Sequence, residues 1–418
     1  MDGPVVMVGA GLAAVTAAET LRDEGFGGPI RLIERERQLP YLRPPLSKGL
    51  LGGSEDEDTI RIQPPEWYDQ QGIELLLGRE AVVLDRARRV VELGDGSAVP
   101  YGRLLLATGS SPRRLPIPNA DLPGVHLLRT LDDSRRLQAA LVADPGAEPR
   151  RLVVVGSGWI GMEVAAVART SGADVTVVGL ETVPLSAAVG REIGDVFRRR
   201  HERAGVRFRP GQTAAAVVAR DGRAAGVLLG SGETLPADVV LVAVGVAPNT
   251  ALGMQAGLDS GNGLRVGGDL TTNDPAIWAA GDVAEVHRPR LGRGERLEHW
   301  ANAIATGRAA ARSMLGLGAG EQETPYFYTD QFDLGMEWWG HPSLAAGASL
   351  VVRGDLASEA FVAFLVQPEP AGGARVVAGL HVNVWDAADE IRSLVEAEAV
   401  LPVEALRGGP AARRGAAG

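Results

Sequence analysis

The chain opens on a run of apolar residues at 4–9 (PVVMVG). It continues through GAGLAAVTAAETLR, where apolar positions recur at helical spacing, and reaches a second apolar stretch, IRLIE, at 30–34. That order predicts a buried strand, a helix and a further strand. The same plan returns with LVVVG at 152–156, the helical pattern GSGWIGMEVAAVAR from residue 156, and VTVV at 175–178. Each unit is followed by a second matched segment. Residues 85–109 align without gaps on residues 221–245, so that Gly94 meets Gly230, Gly96 meets Gly232, Pro100 meets Pro236 and Gly109 meets Gly245. Each copy predicts a strand, a glycine turn, a second strand and an apolar strand that stops at glycine. A repeat of this size is a duplicated domain rather than a solenoid period, and two dinucleotide folds imply two dinucleotides.

Beyond the second copy the pattern predicts a helix over 299–315, a glycine-rich linker at 316–325, and then a change of character, with six aromatics in the eighteen residues 325–342. Strands at 361–366 and 375–382 and a helix over 389–400 make a small α+β domain to about residue 405, followed by a tail, 406–418, expected to be disordered.

Length and composition narrow the chemistry. A chain of 418 residues exceeds what one core organises, and 45% hydrophobic with 22% charged residues describes a globular protein. No run of 18 apolar residues occurs, and the N-terminus lacks the basic and apolar segments of an export signal, so a cytoplasmic protein without a membrane span is expected. With no cysteine, thiolate nucleophiles, disulfides and cysteine-held iron–sulfur clusters are excluded, and redox work needs a borrowed cofactor. The six histidines are scattered without an HxxxH pair, so no metal is expected. A net charge of -10 argues against general nucleic-acid binding. Of the 42 basic residues only Lys48 is a lysine. A site that needs a compact ammonium would resist the replacement by arginine seen everywhere else.

Gly9-x-Gly11-x-x-Ala14 lies between a predicted strand and helix. There the first glycine makes the tight turn, the second admits a pyrophosphate, the third position allows close packing, and the helix N-terminus supplies donors. Glu34 at the end of the next strand is placed to accept from a ribose hydroxyl, with Glu36 as its competitor. The second fingerprint is Gly156-x-Gly158-x-x-Gly161. Its strand ends on Gly179 instead of an acid, with Glu181 two residues on and no arginine between Gly172 and Gly190, which favours NADH over NADPH.

YLRPPLSK at 41–48, ATG at 107–109, GSGWIGMEVAA at 156–166, GVAPN at 245–249, AAGD at 279–282 and EHWANA at 298–303 together resemble the FAD-dependent ferredoxin, putidaredoxin and rubredoxin reductases of oxygenase systems, over about residues 4–400. The resemblance implies an α/β fold with two Rossmann-like domains in a glutathione-reductase-like arrangement. FAD would take 1–112 and 246–324, NAD would take 113–245, and a C-terminal α+β interface domain would span 325–405. It assigns Gly9, Gly11, Ala14, Glu34, Arg43, Lys48, Ala81, Arg129, Asp282 and Trp300 to FAD, and Gly156, Gly158, Ile160, Gly161, Glu163, Glu181 and Gly245 to NAD. Trp300 is either against the flavin or a core residue. Lys48 paired with Glu163 would stand beside flavin N5, where an ammonium stabilises the charge that arrives with hydride. The other reading of that pair is an ordinary salt bridge.

The activity so implied is electron transfer from NADH through FAD, singly, to a [2Fe-2S] ferredoxin that serves a cytochrome P450 or other oxygenase. An NADH oxidase using O2 and a non-enzymatic FAD/NAD signalling protein are the alternatives, while a disulfide reductase or peroxidase falls with the missing cysteines. Where the family commonly has tryptophan in a PYFWSDQ-like segment, this chain has Tyr328. Arg288, Arg290, Arg293 and Arg296 form either a docking patch for an acidic partner or a solvated charged loop.

Overall fold

Val5–Val8 is apolar throughout and Arg151–Val155 is apolar after its exposed first residue, and each becomes the central strand of a five-stranded parallel sheet. The first sheet runs Ile277–Ala279, Arg103–Leu106, Val5–Val8, Ile30–Glu34, Ile73–Leu77. The second runs Val125–His126, Val239–Val242, Arg151–Val155, Asp174–Gly179, Arg207–Pro210. Four strands follow the same order in both, as the repeat requires; only the edge strand differs, drawn from Ile277–Ala279 after the first copy and from Val125–His126 before the second. In each sheet the first βαβ turn emerges at the centre, the position where open α/β sheets bind their ligands. Each sheet also carries a three-stranded antiparallel flap: Ala81–Asp85, Val90–Leu93, Ala98–Pro100 in one copy and Ala214–Arg220, Arg223–Leu229, Thr234–Pro236 in the other. The glycine turns match too, with Gly96 at φ +85° and Gly232 at φ +89°. The sequence alignment had missed only the first strand of each flap.

The computed structural model describes residues 3–143, 146–370 and 372–408. The chain divides into two compact units. One holds the residues up to Leu42, Glu57–Ser111 and Val246–Pro325; the other holds Arg43–Asp56, Pro112–Gly245 and the residues from Tyr326 on. The segment around Lys48 thus belongs to the unit of the second fingerprint, a membership that the sequence reading, which kept 1–112 whole, did not anticipate. The aromatic-rich region forms an antiparallel sheet in that same unit, in the order Tyr326–Gln331, Leu334–Gly340, Ala374–Val382, Ala360–Pro368, Ser349–Asp355, with the helix Ala388–Glu396 packed on it through Ile391 and Val395. The expectation of disorder from 406 is corrected at its start, because Val403–Gly408 is helical and buries Leu406; the rest of that stretch, 409–418, lies outside the described residues. No helix among the described residues is long and apolar enough to cross a membrane.

Candidate functional site

The two fingerprints turn in the same way. Gly9 has φ +98° and Gly156 φ +119°, and a Cβ on either would lie 2.2 or 2.1 Å from the carbonyl oxygen of Ala107 or Ala243, so only glycine fits. Gly11 and Gly158 are the N-caps of the helices Leu12–Asp23 and Trp159–Thr170. Neither helix has a side-chain cap, and a Cβ at either glycine would meet nothing within 4 Å. Open N–H groups at an uncapped helix start, with clear space before them, fit a dinucleotide pyrophosphate. Ala14 is fully buried against its neighbours, and a Cβ at Gly161 would be 2.2 Å from the Gly156 carbonyl oxygen, which explains the glycine in the second copy.

The copies differ at the strand end. Glu34 reaches back to the first fingerprint, where Oε2 accepts from the Ala10 N–H at 2.8 Å and Oε1 from the Glu36 N–H at 3.0 Å. Its competitor Glu36 instead accepts the Tyr41 hydroxyl at 2.5 Å. In the second copy the Ser157 side chain occupies the space over Gly179, and a Cβ there would lie 2.4 Å from Ser157 Oγ. Glu181 is engaged by the start of the helix Ser186–Arg203, accepting from the Ser186 N–H at 3.0 Å and the Ala187 N–H at 3.3 Å.

In the first unit, Asp282 Oδ2 accepts from the Ser110 hydroxyl at 2.7 Å. The Gly281 N–H beside it donates to Thr306 Oγ1 at 2.9 Å. Trp300 opens the helix Trp300–Met314 and is 39% exposed, which sets aside its core reading. Ala81 begins a flap strand paired to Leu93. The four arginines of the proposed patch do not share one surface: Arg288 is buried and the half-buried Arg296 pairs with Glu298, leaving Arg290 and Arg293 outside. That part of the docking expectation is corrected. The strand Ala284–Arg288 alternates inward and outward, and Arg288 falls on an inward position.

In the second unit, the residues 43–53 are held as a rigid bracket. Pro44–Ser47 is a tight helical turn begun by proline, and Gly53 at φ +75° ends the short helix Gly49–Gly52. The helix Leu131–Leu141, started by a Thr130–Asp133 capping box, grips this bracket from one side. Ser134 donates to the Leu46 carbonyl at 2.9 Å, Gln138 to the Leu50 carbonyl at 3.0 Å, and the Arg43 guanidinium to the Arg129 carbonyl at 2.6 Å. None of these grips, apart from the naming of Arg43 and Arg129, was legible in the sequence.

The bracket delivers Lys48 to Glu163. Nζ lies 2.8 Å from Oε1, with the lysine side chain 17% and the glutamate 4% exposed. The Tyr328 ring stands 5.5 Å from the ammonium, and burial, with Asp330 and Glu163 nearby, pushes the Tyr328 hydroxyl above its usual range, so it is neutral. Ser47 and Thr329 also donate to Glu163, at 2.5 and 2.7 Å. Sequence reading named neither. Of the remaining NAD assignments, Ile160 is 43% exposed on the fingerprint helix, and Gly245, at φ +91°, accepts from the Arg113 N–H at 2.9 Å.

Residues 3–307 match the profile described as pyridine nucleotide-disulphide oxidoreductase. The probable ferredoxin reductase CtmF of Castellaniella defragrans is 41% identical, over 86% of this chain and 87% of its own. The anthranilate 1,2-dioxygenase system ferredoxin–NAD(+) reductase component of Burkholderia cepacia is 39% identical, with 95% of each chain covered. Among solved structures, a chain of the covalent putidaredoxin reductase–putidaredoxin complex superposes with a TM-score of 0.88 at 33% identity, over 94% of this chain and 93% of that chain.

Proposed function

The chain belongs to the pyridine nucleotide-disulphide oxidoreductase family, and from that premise we propose that it is an NADH:ferredoxin oxidoreductase whose partner is a [2Fe-2S] ferredoxin feeding a cytochrome P450 or other oxygenase. It is a flavoprotein enzyme with FAD and NADH as cofactors. The family name does not describe its chemistry, because a chain without cysteine has no thiol to exchange with a disulfide.

The observation that carries the reading is the Lys48–Glu163 pair, in which the chain's sole lysine is fixed to a buried glutamate of the second fingerprint helix. FAD, when bound, supplies the conversion of a hydride pair into single electrons. The protein's part is to hold the two cofactors and to place charge. Residues 1–112 with 246–324 would hold FAD through Gly9, Gly11, Glu34 and Asp282, and 113–245 would hold NADH through Gly156, Gly158, Gly161 and Glu181. Lys48 Nζ, already oriented, needs no reorganisation when negative charge develops near it, and Glu163 holds it in place. The site is read as working in the cytoplasm, where NADH is made.

Anaerobic mixing of the FAD-loaded protein with NADH, followed by a [2Fe-2S] ferredoxin, tests this. Rapid bleaching of the flavin and catalytic reduction of the ferredoxin are expected. Fast turnover with O2 and none with any ferredoxin overturns the reading in favour of an oxidase.

A further inference from the structure

Three side chains donate to the Glu163 carboxylate, and only one of them carries charge. Lys48 Nζ and the Thr329 hydroxyl share Oε1, at 2.8 and 2.7 Å, while the Ser47 hydroxyl takes Oε2 at 2.5 Å. An ionised carboxylate has acceptor sites only, so Thr329 must give its single proton to Glu163. Its oxygen then needs a donor, and Gln331 Nε2 supplies one at 3.2 Å. The direction of this chain is fixed throughout: Gln331 to Thr329 to Glu163. Alternation along the strand Tyr326–Gln331 sets Thr329 and Gln331 on one face, 1% and 0% exposed.

A buried threonine needs some acceptor, and a backbone carbonyl would satisfy it. Here the acceptor is the one oxygen that also holds the lysine. Hydrogen bonds to a charged acceptor are roughly twice as strong as neutral ones, and burial strengthens them further. The strand that carries Thr329 is anchored independently: Phe327 packs 5.1 Å from Trp159 at the start of the Glu163 helix and stacks on Trp338 of the neighbouring strand. The strand therefore holds the hydroxyl still with respect to the carboxylate.

We propose that Thr329, oriented by Gln331, is a positioning residue for flavin reduction: it fixes Glu163 Oε1 so that the Lys48 ammonium keeps a single place between that oxygen and the Tyr328 ring. The proposal rests on the function read above. Ser47 belongs to the RPPLSK stretch and acts on the other oxygen; Thr329 is the contribution of the C-terminal sheet.

Because Lys48 is the sole lysine, a protein labelled with 15N-lysine and loaded with FAD gives one side-chain ammonium signal, readable without NADH or turnover. The expected result is a sharp Lys48 signal in the wild type and in Thr329→Ser, and a shifted or broadened one in Thr329→Val. The limiting rate of anaerobic flavin reduction by NADH should fall about tenfold in Thr329→Val, the scale of one lost charge-assisted hydrogen bond, and stay within about twofold in Thr329→Ser. Gln331→Met should show a smaller change of the same kind in both readouts. A folded Thr329→Val with an unchanged signal and rate overturns the proposal; if that variant does not fold, an unchanged signal in Gln331→Met does so. Should the wild type fail to be reduced by NADH, the functional reading fails, and the ammonium signal still decides the positioning role.

Discussion

Ser157 fills the space above Gly179: a Cβ added to that glycine would lie 2.4 Å from Ser157 Oγ and 2.8 Å from Ser157 Cβ. In the other copy the equivalent strand end carries Glu34, whose carboxylate bonds the N–H of Ala10, the residue that corresponds to Ser157. One site thus spends this volume on a carboxylate and the other on a serine. Gly179→Ala should therefore cost about 1–3 kcal/mol by overpacking, and Ser157→Gly in the same chain should restore most of it. Denaturant midpoints of the single and double variants check this, and additive effects would refute the coupling.

Glu181 does two jobs if it also meets the NADH ribose. Its carboxylate accepts from the Ser186 and Ala187 N–H groups, so Glu181→Ala should lose about 1 kcal/mol of stability, as caps do, whether or not NADH is present. Glu181→Arg should lose the same cap and also raise the NADPH/NADH ratio of kcat/KM. A lower Tm with an unchanged ratio would assign the residue to the helix alone.

Replacing Lys48 by alanine should slow flavin reduction by roughly 10²–10³, the scale of removing one preorganised donor from a transition state. Lys48→Arg is the sharper comparison. It keeps the charge, but a planar guanidinium cannot occupy the ammonium's place between Glu163 Oε1 and the Tyr328 ring. Stopped-flow reduction of Lys48→Arg at the wild-type rate would show that charge alone matters there.

Burial pushes the His299 imidazole down to about 4 from its usual 6.5, against the opposite pull of Asp282 and Glu295. The folded protein keeps it neutral where the unfolded chain would already be protonated. Stability from this group is full above pH 6.5 and is lost as the pH falls toward 4, by up to about 3 kcal/mol. Unfolding curves at pH 7.5 and 5 should separate more for the wild type than for His299→Gln. Equal separation would mean that other groups carry the acid sensitivity.

Much of this protein is local, and local information is what a sequence holds. Gly9 and Gly156 mark their turns because a backbone at φ near +100° admits little else, and Val5–Val8 and residues 152–155 declare central strands by being apolar throughout. The duplication was legible because both copies obey the same steric demands at Gly96 and Gly232. The sole lysine was legible as an exception to composition, though not what surrounds it. Tertiary structure alone decided that Ser134 and Gln138 grip the Lys48 segment, that Thr329 and Ser47 join it at Glu163, and that Arg288 points inward. Each of those depends on where a short polar side chain meets a partner far along the chain. Serine, threonine and glutamine have the same local appearance in a solvated loop as in a buried network, so only packing tells them apart.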